Sequence, residues 1–202
     1  LKKSTEVERD KYEYLWARGR YGGGRGAENQ VPKLLELFKE KDIIEFGCGP
    51  GRAGLMLKYE GKSVIMTDIA ENSLDRFVEQ ELDYDLIFKQ GAAHEINVPA
   101  ANHTFSSDLL EHIPPDMIDV SLDNIFKHTM KSSYHCIALQ PDTHGPTNNM
   151  GQLHLTLEKP SWWKEKLEKY GQLGYHHIQY VEDKDNPEMV MLASTCVFEI
   201  IV

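Results

Sequence analysis

Between Ile43 and Gly54 the chain reads IIEFGCGPGRAG: an apolar run, an acid, then glycines at 47, 49 and 51. A strand that breaks into a glycine turn and restarts as a helix presents backbone N–H groups and a positive helix end to a ligand. The stretch can be read in two registers. Gly49 to Gly54 fits the G-x-G-x-x-G dinucleotide pattern, whereas Glu45 to Gly51 fits an acidic-x-G-x-G-x-G pattern. In the first, Gly49 follows the strand only after Gly47-Cys48. In the second, Gly47 follows it directly, and Glu45 is placed to meet a ligand ammonium, directly or through water. Both registers want an acid at the end of the next strand for ribose hydroxyls, and Asp68, 21 residues after Gly47, fits.

The rest of the chain alternates short apolar runs with amphipathic stretches. Strands are expected at Ile43–Phe46, Ser63–Thr67, Leu86–Lys89, Thr104–Ser107 and Cys136–Leu139. Helices are expected from Gln30 to Phe38, over Arg52–Tyr59, around Leu74–Leu82 with Asn72 or Ser73 as cap, over Met117–Met130, and from Ser161 to Tyr170. This alternation predicts an α/β fold, a Rossmann-like, doubly wound seven-stranded sheet that is mostly parallel. His176–Val181 and Val190–Ile201 are joined only by EDKDNPE, too short for a parallel crossover, so they are expected to close the sheet as an antiparallel hairpin. Residues 1–29 read as an N-terminal helix with an aromatic pair, Tyr12 and Trp16, followed by a glycine-rich lid or hinge. Residues 30–202 read as the ligand-binding domain. Gly61-Lys62-Ser63 copies the tail of a P-loop, but Met56 stands where that pattern needs glycine, so it is a turn.

Composition narrows the partners. The net charge of −10 disfavours a nucleic-acid partner held by phosphate neutralisation. Cys48, Cys136 and Cys196 are far apart and form no C-x-x-C pair, which argues against a disulfide framework or a zinc site. No stretch approaches the roughly 20 apolar residues of a membrane span. Leu1-Lys2-Lys3-Ser4 runs into charge, and a reducing, cytoplasmic compartment is the expectation.

Three segments together, IIEFGCGPGRAG, VIMTDIA and SSDLLEHIPP (Ser106 to Pro115), resemble in order and spacing the successive motifs of class I S-adenosylmethionine-dependent methyltransferases. The resemblance covers about Val31 to Val202, and the terminal hairpin resembles that family's sixth and seventh strands. It selects the second register and implies S-adenosylmethionine as cofactor. It implies that Glu45, Gly47, Cys48, Gly49 and Gly51 line the methionine part, that Asp68 and Ile69 hold the ribose and flank the adenine, and that Ser107 and Asp108 lie under the sulfonium. Ala92, beside Ala93, stands where the family often has an acid for the adenine amino group; backbone contacts or Glu95 are the substitutes.

Transfer from a sulfonium needs no acid for the leaving group, and much of the rate comes from holding the acceptor in line. An alcohol acceptor also gains from a base, which makes His112 and His154 the catalytic candidates. A histidine shortly before a Trp-containing helix resembles methyltransferases acting on sugars or other small hydroxylated acceptors, with Trp162, Tyr21 and Arg25 as acceptor-side candidates. The bland alternatives are a turn brace for His112 and an exposed loop residue for His154. A metal-assisted variant through Asp108, Asp142 and Asn148 or Asn149 matches its subfamily's spacing poorly, and no metal is expected. The functional expectation is O-methylation of a small molecule. The alternatives are a non-catalytic S-adenosylmethionine sensor, an N-methyltransferase, or an enzyme acting on protein or RNA.

Overall fold

The computed structural model describes residues 2–19, 26–142, 151–181 and 192–202. Seven strands, β1 (Asp42–Phe46), β2 (Ser63–Asp68), β3 (Leu86–Gln90), β4 (Ala101–Ser107), β5 (Thr129–Ala138), β6 (Gln172–Val181) and β7 (Leu192–Ile201), form one sheet in the order β3-β2-β1-β4-β5-β7-β6. β1 to β5 are parallel, and β7 lies antiparallel between β5 and β6. The expected closing hairpin is therefore present, with β7 inserted beside β5.

Among the described residues the α-helices are α1 (Lys2–Ala17), α2 (Val31–Leu37), α3 (Arg52–Tyr59), α4 (Arg76–Glu79), α5 (Ile118–Lys127) and α6 (Pro160–Leu167). On one face, Val31, Leu34 and Phe38 of the α2 region and Leu57 of α3 pack on Ile43, Val64, Met66 and Phe105. On the other, Ile118, Leu122 and Ile125 of α5 and Trp163 and Leu167 of α6 pack on Ile44, Phe46, Ile137 and Phe198. Two buried faces explain why the strands read as continuous apolar runs.

Several boundaries differ from expectation. The α5 helix stops at Lys127 rather than Met130, and β5 begins at Thr129, seven residues before the expected Cys136. The reason is a row of buried polar side chains that hides both central strands. The Thr129 hydroxyl donates to the Ile125 carbonyl at 2.9 Å. Thr104 then donates to Thr129 at 2.7 Å and Ser133 to Thr104 at 2.6 Å. His135 Nε2–H donates to Ser133 at 2.9 Å, and Ser106 donates to His135 Nδ1 at 2.8 Å. This one donor direction satisfies every member, so the polar row is compatible with a dry interior. The helix around Leu74–Leu82 shrinks to Arg76–Glu79 and is preceded by Asp75, with no cap from Asn72 or Ser73. The last helix starts at Pro160, with Lys159 rather than Ser161 before it.

Burial pushes the His135 imidazole down to about 3, so it is neutral in the folded chain. An unfolded histidine titrates near 6.5. The stability contributed by neutral His135 is complete above about pH 6.5 and is lost as pH falls toward about 3, by roughly 1.4 kcal/mol per pH unit in between. Nitrogen NMR of the imidazole is expected to show Nε2 protonated and Nδ1 bare from pH 7.5 to pH 5. A titration midpoint near pH 6.5 would contradict the network.

Candidate active site

The glycine turn after β1 has a specific shape. Gly47 and Gly51 have φ of +70° and +75°, which L side chains rarely adopt. A Cβ at Gly47 would lie 2.8 Å from Leu109, just beyond β4, and one at Gly51 would lie 2.6 Å from Leu74. The turn is thus wedged between its neighbours, with room for backbone only. Asp68, at the end of β2, fixes it in place: Oδ2 accepts the Gly49 N–H and Oδ1 the Ala70 N–H, each at 2.9 Å. Burial raises the Asp68 carboxyl to about 6, against the pull of those N–H groups.

A cavity of about 310 Å³ opens at the carboxyl ends of the parallel strands, where ligands of open α/β sheets bind. Its wall includes Gly47, Cys48 and Gly49 after β1, Asp68 and Ile69 after β2, Ala92, Ala93 and His94 after β3, and Ser107, Asp108, Leu109 and His112 after β4. The α1 helix covers it with Thr5, Glu8, Tyr12 and Trp16. Val7 and Tyr14 of this helix are exposed. The Tyr12 hydroxyl meets His112 Nδ1 at 2.8 Å, Thr5 meets His94 Nε2 at 3.2 Å, and Asn72 donates to the Glu13 carbonyl at 3.0 Å.

Beyond β4 the backbone turns sharply. Asp108 has φ of +59° and is the only non-glycine with positive φ among the described residues, a conformation Asp tolerates better than most. A 3-10 turn, Leu110–His112, follows. The segment from Gly151 is stitched onto it: Leu155 and Thr156 N–H donate to the Glu111 carbonyl at 2.7 and 3.0 Å, and the Thr156 hydroxyl donates to Ile113 at 2.7 Å. This brings His154 edge-on to His112, ring centroids 4.7 Å apart. One ligand atom each from Asp108, Glu111, His112 and His154 falls within 4.8 Å of the others.

The electrostatics of this cluster are set by burial. The His112 imidazole is lowered to about 4, chiefly by burial, with Asp108 opposing and His154 adding to the effect. Burial and then the neighbouring Asp108 charge push the Glu111 carboxyl well above the usual range. Glu111 Oε1 accepts the Ala138 N–H at 2.6 Å, while its Oε2 and His112 Nε2 are buried without a hydrogen-bond partner.

The structure gathers His112, Gly47, Cys48, Gly49, Asp68, Ile69, Ala92, Ala93, Ser107 and Asp108 on one cavity, with His154 against His112. Others stand elsewhere. Glu45 is only 1% exposed and lies under the turn, beside Gly54 and not on the cavity wall. Burial holds its carboxyl well above the usual range despite the pull of the Gly54 N–H. Gly51 packs on Leu74 and is also off the wall. Trp162 is not on the wall either: it packs edge-on to Trp163 with the Lys166 ammonium over its ring. Glu95 is exposed and does not line the cavity. Tyr21, Arg25, Arg20, His144, Asn148 and Asn149 lie outside the described residues. Two residues escaped the sequence reading. Glu111 was signalled by the D-x-x-E-H spacing from Asp108 to His112, whereas Tyr12 lies 100 residues from its partner His112 and had no local signal.

The sheet order, the antiparallel last pair and a cavity over the glycine turn define the class I S-adenosylmethionine-dependent methyltransferase fold. Residues 43–132 match the family model described as "Methyltransferase domain". The chain therefore has the fold of this methyltransferase class. Among solved structures, it is similar to Burkholderia thailandensis 1,6-didemethyltoxoflavin-N1-methyltransferase with bound 1,6-didemethyltoxoflavin and S-adenosylhomocysteine, at 15% identity and TM-score 0.72, covering 98% of this chain and 88% of that one. Similarity to the magnesium protoporphyrin IX methyltransferase of Synechocystis PCC 6803, with bound S-adenosylhomocysteine, is 13% in identity and 0.73 in TM-score, over 98% of both chains. The Haemonchus contortus phosphoethanolamine N-methyltransferase 2 complex with phosphomonomethylethanolamine and S-adenosylhomocysteine gives 14% and 0.63, over 86% of this chain and 52% of that one. No curated protein sequence matches the chain.

The residues present fit S-adenosylmethionine, the cofactor that the sequence resemblance implies. Each Asp68 oxygen accepts one N–H and keeps a lone pair for a ribose hydroxyl. Asp68→Ala is expected to weaken S-adenosylhomocysteine binding by one to two orders of magnitude, since hydrogen bonds to charged groups contribute about 1.5–3 kcal/mol each. Because the accepting carboxylate titrates near 6, wild-type affinity is expected to fall as pH drops below about 6 and to be flat above about 7. Calorimetric titration across pH checks both; an unchanged affinity in the variant would contradict the assignment.

Proposed function

We propose that the chain transfers a methyl group from S-adenosylmethionine to a small hydroxylated acceptor, with sugars and glycoconjugate precursors the first class to test. One observation carries the reading: the cavity runs without interruption from Asp68 to the cluster around His112, so a cofactor anchored at one end would present its reacting carbon at the other. In this reading Asp68 takes the ribose and Ile69, Ala92 and Ala93 flank the adenine. Gly47, Cys48 and Gly49 pass under the methionine part, and Gly51 and Glu45 brace that turn from behind. Ser107 and Asp108 stand beneath the sulfonium.

The cofactor supplies an electrophilic methyl group on a positively charged sulfur. This chain's own residues do the rest. They hold the acceptor oxygen in line, exclude water, and receive the hydroxyl proton as the oxygen–carbon bond forms. His112, neutral at physiological pH, and His154 beside it are the acceptor-side groups. The α1 helix acts as the lid, with Tyr12 latching it to His112. Net charge −10 disfavours a nucleic-acid acceptor, and among the described residues no helix is long and apolar enough to cross a membrane. Three buried free thiols suit a reducing, cytoplasmic compartment.

An amine acceptor is the second reading. Two of the similar structures are N-methyltransferases, and the acidic side chain of Asp108 on the cavity wall would attract a cationic acceptor.

The test is titration with S-adenosylmethionine, S-adenosylhomocysteine and NAD, followed by turnover on a panel of hydroxylated and amine acceptors. Binding of the first two but not NAD, with turnover of hydroxylated acceptors, is expected. His154→Ala should reduce kcat by about 10²–10⁴, the usual contribution of a positioned proton acceptor, without changing S-adenosylhomocysteine affinity. Tight cofactor binding with no turnover on any acceptor would contradict the enzyme reading in favour of a sensor.

A further inference from the structure

Four side chains able to ligate metal meet at the acceptor end of the cavity, although three separate stretches supply them: Asp108 beyond β4, Glu111 and His112 in the following turn, and His154 in the segment stitched over that turn. Their presented orientation is built, not incidental. His112 Nδ1 faces both the Leu153 carbonyl at 3.1 Å and the Tyr12 hydroxyl at 2.8 Å, an Nδ1–H shared between two oxygens, and His154 Nδ1 faces the Gln140 carbonyl at 2.5 Å. An imidazole that gives its Nδ1 proton to a carbonyl carries its lone pair on Nε2. Such carbonyl–imidazole pairs are how proteins orient metal-binding histidines.

Glu111 repeats the pattern. Its Oε1 is held by the Ala138 N–H at 2.6 Å, which leaves Oε2 free. Glu111 is 0% exposed and His112 8%, yet Glu111 Oε2 and His112 Nε2 have no hydrogen-bond partner. Two buried polar atoms side by side with no hydrogen-bond partner among the described residues are costly.

We infer that Asp108, Glu111, His112 and His154 form a divalent-cation site at the acceptor end of the cavity. Two imidazole nitrogens beside two carboxylate oxygens favour Mn²⁺, Co²⁺ or Zn²⁺ over Mg²⁺ or Ca²⁺, which prefer all-oxygen shells. Asp108 and His112 line the cavity, so the cation borders the space where the acceptor binds. With the cation bound, His112 and His154 hold it instead of receiving the proton, and a hydroxyl oxygen bound to it loses its proton to water more readily. That oxygen then forms the bond to the methyl carbon, and the sulfur–carbon electron pair leaves with the sulfur. This last role rests on the methyl-transfer reading; the cation site does not.

The experiment is calorimetric titration of chelator-stripped protein with Mn²⁺, Zn²⁺ and Mg²⁺, alongside S-adenosylhomocysteine on the same samples. One Mn²⁺ or Zn²⁺ per chain is expected, with Mg²⁺ weaker. Outer-shell changes alone cost metal sites about 10–100-fold, so His154→Ala and Glu111→Gln should each weaken the cation by at least about tenfold. Glu111→Gln keeps an acceptor for the Ala138 N–H, and intact S-adenosylhomocysteine binding reports that both variants fold. His176→Ala, at an exposed histidine on β6, should bind the cation like wild type. No binding to the wild type, or equal binding in both variants, overturns the site and leaves the methyltransferase reading standing. Loss of S-adenosylhomocysteine binding by the wild type with cation binding retained would do the reverse.

Discussion

The Asp68 carboxylate is the point on which the site depends. Its two oxygens accept the N–H groups of Gly49 and Ala70, tying the turn after β1 to the end of β2. Without that tie, a turn of alternating glycines has no side chain of its own to hold it. With it, the turn lies in the gap between Leu109 and Leu74 that only backbone can fill. The cost is a carboxylate buried enough to titrate near 6, which two N–H donors only partly offset. A ligand offering two hydroxyls supplies the donors that the chain leaves out.

The second organising feature is polar burial along β4 and β5. Thr104, Ser106, Ser133 and His135 lie in the middle of the sheet and satisfy one another. On the opposite face, His103 joins Ser132 at 2.9 Å and Glu40 at 2.6 Å. These pairs fix the register of the strands whose ends carry Asp108 and Glu111's partner Ala138. A slip of one residue would unpair several buried groups at once, which gives the register more specificity than apolar contacts alone provide.

Where the signal is local, the sequence was readable. The glycine turn, Asp68 and the closing hairpin all follow from short-range patterns and loop lengths. The beginning of β5 was not readable, because Ser132, Ser133 and His135 look like surface residues until their partners on β4 are known. What the aromatic pair of α1 packs on was not readable for the same reason. Tyr12 and Trp16 turn to a cavity that the rest of the chain builds, while Val7 and Tyr14 face solvent. At the site, His112 and His154 stood out one at a time as proton acceptors. Their meeting, with Glu111 between them, depends on Leu155 and Thr156 bonding the Glu111 carbonyl, a contact across more than 40 residues. Trp162 shows the opposite error: an aromatic in the right stretch of sequence, turned toward its own helix.

The most direct test of this account is a crystal structure of the protein with S-adenosylhomocysteine. The account predicts ribose hydroxyls on Asp68, adenine between Ile69 and Ala92, and the sulfur directed toward Asp108 and His112. A sulfur pointing away from that cluster, or a ribose that leaves Asp68 untouched, would contradict it.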